Sequence, residues 1–340
     1  MSFFAVLFAL ILEQARPLAR GNWVHAGFRG WARWASRSLD AGKPHHGWIA
    51  WTAAVVVPAL VTLLIHWLLF RVSVLLAFAW SVAILYVTLG FRQFSHYFTD
   101  IRDALDDGDE GTARELLAQW RNVDASELPR SEIVRHVIEY SVLAAHRHVF
   151  GVLGWFSVLA ALGLGPAGAV FYRMSEFVTR YWIHKSKFPG EGASPALQGV
   201  AIRAWGIIDF VPARVTALGF AVVGSFEDAI DAWRHYTQRF AANAPAASEN
   251  RNDGVILAAT SGAVNVRLGG EALRTAVPPN GALQGFPAGE LEADDRASTE
   301  STPGRVPEVA HLRSIVGLVW RSVVLWMVLL ALLTLARLLG

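Results

Sequence analysis

Long uninterrupted apolar stretches constrain this chain more than any other feature of its sequence. Four of them reach the roughly 20 residues that a helix needs to cross about 30 Å of hydrocarbon. They are 48–70, 72–91, 149–172 and 315–339. The last carries Arg321 and Arg337 near its ends, where long cationic side chains can extend to the lipid headgroups. Because only 17% of the residues are charged, too few for an ordinary soluble domain, we predict an all-α, polytopic helical integral membrane protein.

Two further apolar segments leave the number of membrane segments between four and six. Residues 200–224 are interrupted by charged residues and by Pro212, so they form either a proline-broken span or an interfacial or re-entrant helix. Residues 2–12 form an apolar run that ends at Glu13, with no basic residue before it and no small-residue cleavage site after it. This pattern predicts a short uncleaved anchor rather than a signal peptide.

The distribution of basic residues predicts the orientation of these segments. Loop 13–47 holds six basic and two acidic residues, which predicts that it lies on the cytoplasmic side of the membrane. A hairpin around Arg71 then returns the next polar loop to the same side. We accordingly divide the chain into an N-terminal anchor with a basic loop and hairpin, a polar helical loop, a membrane core, a partly disordered polar loop, and a C-terminal transmembrane helix. These regions are 1–91, 92–148, 149–224, 225–310 and 311–340.

The two polar regions differ in composition. Residues 92–148 show helical periodicity on both sides of Pro129, which predicts one helix before this proline and another after it. Residues 241–310 are rich in Ala, Pro, Gly, Ser, Asp and Glu, a composition that predicts disorder, above all over 271–310. One apolar island, 254–270, lies inside this second region.

Several classes of function are excluded by what the sequence lacks. Without cysteine the chain forms neither disulfides nor thiolate metal sites, and none of its 11 histidines lies in an H-x-x-x-H pair, so we predict no metal site. P-loop, dinucleotide-binding and serine-hydrolase motifs are absent as well, and the sequence assigns no cofactor. A net charge of only +2 gives no electrostatic basis for binding nucleic acid. The lipid bilayer is the partner that the composition requires.

Three local features each admit two interpretations. His66 lies inside a predicted span, where an ionisable group is either functional or a neutral imidazole bonded to a neighbouring helix. The L-G-L-G-P-A-G segment 162–168 suits close helix packing or a break in the helix better than phosphate binding. The acidic residues of 100–110 suit a solvated helix end with a turn around Gly108 better than a divalent cation site.

Five colinear motifs point to one family. They read R-N-V-D-A-S-E-L, I-V-R-H-V-I-E, G-P-A-G-A-V-F-Y-R, P-A-R and S-G-A-V-N-V-R-L-G-G, at 121–128, 133–139, 165–173, 212–214 and 261–270. Their order and content resemble the CobD/CbiB family of cobalamin-biosynthesis membrane proteins, whose patterns include R-D-T-S-x-L, V-x-E-S-V-A-E-N and A-G-A-L-x-V-x-L-G-G. The resemblance covers most of the chain.

The resemblance implies an adenosylcobinamide-phosphate synthase, which joins an aminopropanol or its phosphate to a propionate of adenosylcobyric acid as an amide. It therefore implies a corrinoid ligand. Asp124, Ser126, Glu139 and Arg214 carry over from the family motifs, which implies catalytic roles for the first three and substrate binding for Arg214. Arg173 and Asp209 are further substrate-binding candidates, because their charges lie at the ends of apolar segments.

A corrinoid is large and amphipathic, so it would suit a groove at headgroup level that is apolar at its base and polar at its rim. In such a groove Glu139 and Arg214 should lie within about 15 Å of each other. Arg173 would join them only if segment 162–168 re-enters the membrane, because otherwise it lies at the far end of a span from Glu139.

A second interpretation comes from the positions at which the chain departs from the family pattern. Leu143 and Ala144 replace the family's E-N, and Trp205 and Gly206 replace its paired aspartates. These losses, together with the I-D-F-V-P-A-R stretch 208–214, resemble AmpE, a related inner-membrane protein. That resemblance implies a non-catalytic accessory or sensor protein, linked to cell-wall and β-lactamase regulation and acting with a membrane protein partner. Synthase and accessory protein remain open as alternatives.

Overall fold

The structure is a computed structural model, and it describes residues 2–16, 23–121, 123–186, 193–243, 250–271, 273 and 301–339. In these residues the chain forms fourteen α-helices and one short π-helical segment, with no strand. An isolated β-bridge joins Val266 and Arg305. The helices are α1 Ser2–Ala15, α2 Trp23–Leu39, α3 Pro44–Val72, α4 Val74–Thr88, α5 Phe91–Asp106, α6 Glu110–Arg121, α7 Arg130–Ala145, α8 Gly151–Ala161, α9 Ala167–Ser186, α10 Pro195–Ile208, α11 Phe210–Val223, α12 Phe226–Asn243, α13 Asn250–Val264 and α14 Val309–Leu339. The π segment is His146–Phe150.

The helices confirm an all-α, multi-pass membrane protein. Three continuous helical stretches, Pro44–Val72, Arg130–Ala161 and Val309–Ala336, are long and apolar enough to cross a bilayer. Helices α10 and α11 form a fourth candidate span that is bent by 44°. Two shorter apolar helices, α1 and α4, complete the set of apolar helices in the described part of the chain.

The chain divides into two compact units. The first comprises Met1–Arg92, Arg147–Pro212 and Val323–Gly340, and the second comprises Gln93–His146 and Ala213–Ser322. Each unit is therefore assembled from segments that are distant in the sequence.

Helix α3 shows how a span of the first unit presents its two faces. It packs against α2, α4, α9 and α10, and the small residues Ala50 and Ala54 are fully buried in those contacts. Leu60, Leu64 and Leu68 repeat every four residues on another face and are more than half exposed. Small residues inside and large apolar residues outside are typical of a helix that packs closely on its neighbours and faces lipid.

The second predicted span, 72–91, is shorter in the structure. Helix α3 ends at Val72, Ser73 is extended, and α4 covers only Val74–Thr88. Ser73 caps both helices, because its backbone N–H donates to Leu69 and its side chain accepts from Leu75. The apolar composition continues through this residue, so hydropathy alone could not locate the break.

The prediction of one continuous span over 149–172 is wrong, because the structure divides these residues between two helices. Helix α8 continues α7 through the π segment and ends at Ala161, and α9 begins at Ala167. Gly163 and Gly165 between them adopt φ angles of 80° and 57°, a left-handed conformation that favours glycine and terminates helices. Of the two interpretations of segment 162–168, the structure confirms the break in the helix.

The break in segment 200–224 lies at Asp209 rather than at the expected Pro212. Asp209 ends α10, and Phe210 already begins α11. Pro212 is the third residue of α11, where a backbone N–H has no partner within the helix, so a proline causes no loss there. The bend of 44° therefore arises at the buried aspartate.

The second unit contains the polar helices. Helices α6 and α7 lie on either side of Pro129, which precedes α7, as the periodicity predicted. The turn around Gly108 is also confirmed, and Asp109 after it accepts hydrogen bonds from the backbone and side chain of Thr112. These bonds lower the pKa of the Asp109 carboxyl. The acidic cluster thus contributes a cap to the start of α6.

The predicted disorder over 271–310 is wrong for its last part. Residues 301–308 are ordered: Arg267 N–H donates to the Arg305 carbonyl, and Thr302 N–H donates to the Leu268 carbonyl. The apolar island 254–270 consists of most of α13 followed by the extended segment that makes these bonds. Residues 274–300 lie outside the described part of the chain.

Candidate functional site

Glu139 lies on α7 in the second unit, and it is a buried carboxylate with close partners. Its side chain is 2% exposed. Its Oε1 and Oε2 accept hydrogen bonds from Arg135 Nη1 at 3.1 and 3.2 Å, and Oε1 also accepts from the Gly269 backbone N–H at 2.6 Å. Both carboxylate oxygens are thus engaged.

Arg135 is surrounded by acceptors as well. Its guanidinium donates to the Glu132 carboxylate at 2.6 and 2.8 Å and to the Glu271 carbonyl at 3.0 Å. The His136 Nε2 atom lies 2.9 Å from Arg135 Nη2. We call this set the Arg135 cluster; its members are Glu132, Arg135, His136, Glu139, Gly269 and Glu271. A buried ion pair is stable only when such additional hydrogen bonds satisfy its remaining polar atoms.

The Gly269 side of the cluster depends on a loop of unusual backbone geometry. Gly269 and Gly270 have φ angles of 80° and 112°, which a residue with a Cβ rarely adopts. Thr302 holds the preceding residue, because its side-chain oxygen accepts from the Leu268 N–H at 2.8 Å. The structure therefore joins two of the motifs that carry the family resemblance, 133–139 and 261–270.

Asp124 and Ser126 lie in the exposed connection between α6 and α7. Asp124 Oδ1 accepts hydrogen bonds from the Ser126 hydroxyl at 2.7 Å and from the Ser126 N–H at 3.1 Å. These two bonds lower the pKa of the Asp124 carboxyl, so it is an anion at neutral pH. At the start of this connection, the Arg121 guanidinium lies 4.3 Å from the centre of the Tyr140 ring. The connection is thereby attached to α7 beside Glu139.

Arg214 is the fourth predicted site residue in the second unit. Its Nη1 donates to Asn252 Oδ1 at 2.9 Å, which joins α11 to the start of α13. Helix α13 then leads directly into the loop that contains Gly269. The start of α13 and the loop after it therefore contact residues that the sequence predicts to be functional, Arg214 and Glu139.

Asp209 lies in the first unit and is completely buried. Its Oδ1 accepts a hydrogen bond from the Tyr172 hydroxyl at 2.7 Å. Tyr172 lies so close to Gly151 that a Cβ at that position would be 2.1 Å from its hydroxyl oxygen. The glycine at 151 therefore makes room for the tyrosine that binds Asp209.

Arg173, beside Tyr172, is part of an ion-pair chain along α9. Its Nη1 donates to Glu176 at 2.6 Å, and Arg180 donates to the other oxygen of Glu176 at 2.8 Å. Of the six predicted site residues, Arg173 and Asp209 belong to the first unit and the other four belong to the second. Their convergence in one groove stays a prediction.

The sequence reasoning missed three residues that the structure places against the predicted ones. Arg135 had a signal, because it lies four residues before Glu139 and three after Glu132, spacings that bring charges together on a helix. Tyr172 lies inside motif 165–173 but was not predicted as a site residue, and its partner Asp209 lies 37 residues away in the sequence. Asn252 had no signal, since its partner lies 38 residues away.

The described residues contain no group of three or more His, Asp or Glu side chains that could hold a metal ion. The predicted site residues described above form hydrogen bonds and ion pairs with other protein residues. Glu139, engaged by Arg135 and Gly269, is arranged to hold a loop in place. Asp124 is arranged to attract a cation, because it is exposed and its pKa is lowered.

Comparison with known proteins bears on the same motifs. A family model described as CobD/Cbib protein matches residues 4–299. The cobalamin biosynthesis protein CobD of Stutzerimonas stutzeri is 30% identical over 85% of this chain and 82% of its own length. The protein of the same name from Chromobacterium violaceum is 32% identical over 61% of this chain and 60% of its own. No solved structure matches the chain. The family match spans most of the sequence, and the chain belongs to the CobD/CbiB family.

Proposed function

We propose that this protein acts in cobalamin biosynthesis by joining an aminopropanol, or its phosphate, to a propionate of adenosylcobyric acid as an amide. The names of the similar proteins and the order of the five motifs support the assignment to cobalamin biosynthesis. The observation that carries the proposal is the bond from Gly269 to Glu139, because it brings two separate family motifs into one buried cluster.

In this proposal Glu139 is a positioning residue. Both oxygens of its carboxylate already accept hydrogen bonds from Arg135 and Gly269 within the protein. Its role is to fix the Gly269–Gly270 loop on α7, so that the loop has one conformation when substrate binds. Preorganisation of this kind matters because a small displacement of a reacting group is costly in rate.

Asp124 has a different role in the proposal. Its carboxylate is exposed and is charged at neutral pH, as an ordinary aspartate is, which suits the ammonium group of an aminopropanol. Amide formation releases water and needs an activated carboxylate, so the reaction requires a co-reactant that supplies the activation.

Complementation is the experiment that tests the proposal. Expressed in a bacterium that lacks its own synthase, the protein should restore growth that depends on cobalamin made from cobyric acid. Glu139→Gln should abolish growth, because its amide NH2 group would face Arg135 and Gly269, which are also donors. Glu132→Gln is the matched control, since Glu132 contacts the same arginine from the exposed side and its loss should leave growth largely intact.

An assay on membranes sharpens the result. Membranes that contain the protein should convert adenosylcobyric acid and aminopropanol phosphate to the amide, and leaving out ATP or Mg²⁺ in turn identifies the co-reactant. Asp124→Asn should raise KM for the amine more than it lowers kcat, because the residue is proposed to bind this substrate. Equal activity of the unaltered protein and Asp124→Asn at low amine concentration would contradict a role of Asp124 in binding the amine.

The non-catalytic, AmpE-like function is the second candidate. It is favoured by the residues at positions where the family carries polar groups, since Leu143 and Ala144 are buried and apolar here. Failure of the unaltered protein to restore growth, despite correct membrane insertion, would support it. Deletion of the gene should then alter β-lactamase induction, whereas a synthase mutant should not.

The inner membrane and the orientation of the chain in it belong to the same proposal. Reporter domains fused after Lys43 and after Asp107 should both lie in the cytoplasm, because loop 13–47 is strongly basic. Periplasmic activity from either fusion would overturn the orientation. Cell fractionation should find the full chain in the inner membrane.

A further inference from the structure

The first unit contains a cavity of about 600 Å³ between helices α1, α3, α4 and α8. Its volume lies in the range of pockets that bind small molecules. Most of its wall is apolar and includes Leu63, Phe70, Phe78, Phe156 and Ala160. Four residues of the wall have polar side chains: Ser2, His66, Arg71 and Ser81.

Arg71 is the cation of this cavity. It lies in the last turn of α3 and is exposed. Its guanidinium is 4.7 Å from the centre of the Trp67 ring, so an aromatic face holds it at the edge of the cavity. In the described part of the chain no carboxylate forms an ion pair with it. An arginine beside an apolar cavity therefore has the charge to bind an anionic group of a ligand.

The other end of the cavity is closed by the turn between α8 and α9. Gly165 lies against His66, and a Cβ at this glycine would be 2.4 Å from the imidazole ring. His66 Nδ1 in turn lies 3.5 Å from the Ser81 hydroxyl on α4, the contact with a neighbouring helix that the sequence left as one alternative. His66 is thus held within the protein, which leaves Arg71 to face a ligand.

We propose that this cavity binds one anionic phospholipid, with an acyl chain against the apolar wall and the phosphate on Arg71. Trp67 and Phe70 at the same edge are 50% and 53% exposed, so the opening lies on the outer surface of an apolar helix, where membrane lipid has access to it. A zwitterionic lipid suits the site less well, because its ammonium group is repelled by Arg71. The proposal is independent of the synthase activity.

Native mass spectrometry of the full-length protein tests it. After removal of bound lipid in detergent, phosphatidylglycerol and phosphatidylethanolamine with identical acyl chains are titrated separately. The unaltered protein should bind one phosphatidylglycerol about tenfold more tightly than phosphatidylethanolamine, because both lipids offer a phosphate to Arg71 but only phosphatidylethanolamine carries an ammonium group that Arg71 repels. Arg71→Gln should remove this preference, and Arg71→Lys should retain most of it.

Two further variants separate the charge from the cavity. Ala160→Phe places a large side chain in the apolar part of the cavity and should weaken the binding of both lipids. Arg321→Gln removes an exposed cation from another apolar helix, α14, and should change nothing. Equal affinity of the unaltered protein for the two lipids would overturn the proposal, as would an unchanged preference in Arg71→Gln or unchanged binding in Ala160→Phe. Each variant is compared only when its elution volume in size-exclusion chromatography matches the unaltered protein.

Discussion

Glu139 in the second unit and Asp209 in the first are both buried carboxylates, and the protein surrounds them differently. Glu139 has a cationic partner four residues away on its own helix and a backbone N–H donor. Asp209 accepts from a neutral phenol that comes from a distant part of the sequence. The comparison shows that a buried carboxylate can be bonded by a partner on its own helix or by one from a distant part of the sequence. These two arrangements should respond differently to substitution.

The largest effect should come from breaking the ion pair. Arg135→Met leaves the Glu139 carboxylate buried beside an apolar side chain, and this should lower the free energy of unfolding by about 3–5 kcal/mol. The measurement is denaturant-induced unfolding of the purified protein. The double variant Arg135→Met with Glu139→Leu should recover most of the loss, because no buried charge remains. A double variant as unstable as the single one would show that the ion pair is not the cause.

The next effect concerns the space that Tyr172 needs beside Asp209. The methyl group of Gly151→Ala would overlap the Tyr172 ring, so the tyrosine must move and lose packing and its bond to Asp209. We expect the free energy of unfolding to fall by about 3 kcal/mol. Gly154→Ala on the same helix is the matched control, since no atom lies within 4 Å of its Cβ position. The free energy of unfolding of Gly154→Ala should be unchanged or higher by up to about 1 kcal/mol, because alanine has a higher helix propensity than glycine. Similar values for the two variants would contradict the close contact.

Removing only the hydrogen bond should have a smaller effect. Tyr172→Phe retains the ring and deletes the hydroxyl that donates to Asp209, so the unfolding free energy should fall by about 2 kcal/mol. Adding Asp209→Leu to this variant tests the coupling, because the two losses should not add. Strictly additive losses would mean that the two side chains do not depend on each other.

The smallest effect is expected at the exposed carboxylate, Asp124. Ser126→Ala removes the bond from the hydroxyl and should move the pKa of Asp124 up towards its ordinary value. In the unaltered protein the lowered pKa stabilises the fold above the pKa of the unfolded chain, and this contribution is lost as the pH falls through the folded-state pKa. The variant should lose part of that contribution. Carbon NMR of labelled aspartate measures the titration, and an unchanged midpoint would contradict the assignment.

The comparison of Glu139 with Asp209 also shows how far the sequence alone could predict the structure. Helical spacing is enough to predict Arg135 as the partner of Glu139, because the two residues lie four apart on one helix. Apolar periodicity and the rules for helix starts are enough to predict the helices on either side of Pro129. The partner of Asp209 lies 37 residues away, and such a pairing depends on how helices pack. The same limit explains the errors at 149–172 and at Pro212. Hydropathy reports that residues are apolar, but backbone conformation at Gly163, Gly165 and Asp209 decides where a helix ends.

Of the candidate site, the sequence predicted the residue types and missed most of the contacts. Glu139 is bonded to Gly269 in the apolar island, and Arg214 is bonded to Asn252, two residues before the island begins. The island was recognised as apolar, but its helix and the ordered segment after it depend on bonds to Thr302 and Arg305. Those residues lie in a region whose composition predicted disorder.

The single residue that separates α3 from α4 has a consequence for how the protein enters the membrane during synthesis. Helix α4 has 15 residues, which extend only about 22 Å, less than the hydrocarbon thickness of about 30 Å. It is too short to be a stable span by itself. Because Ser73 is the only residue between α3 and α4, the two helices cannot move far apart. They should therefore leave the translocon together as one hairpin. Chains that end after Leu89 should therefore resist carbonate extraction when α3 is present and lose that resistance when Pro44–Val72 is deleted, because α3 is the helix long enough to hold them.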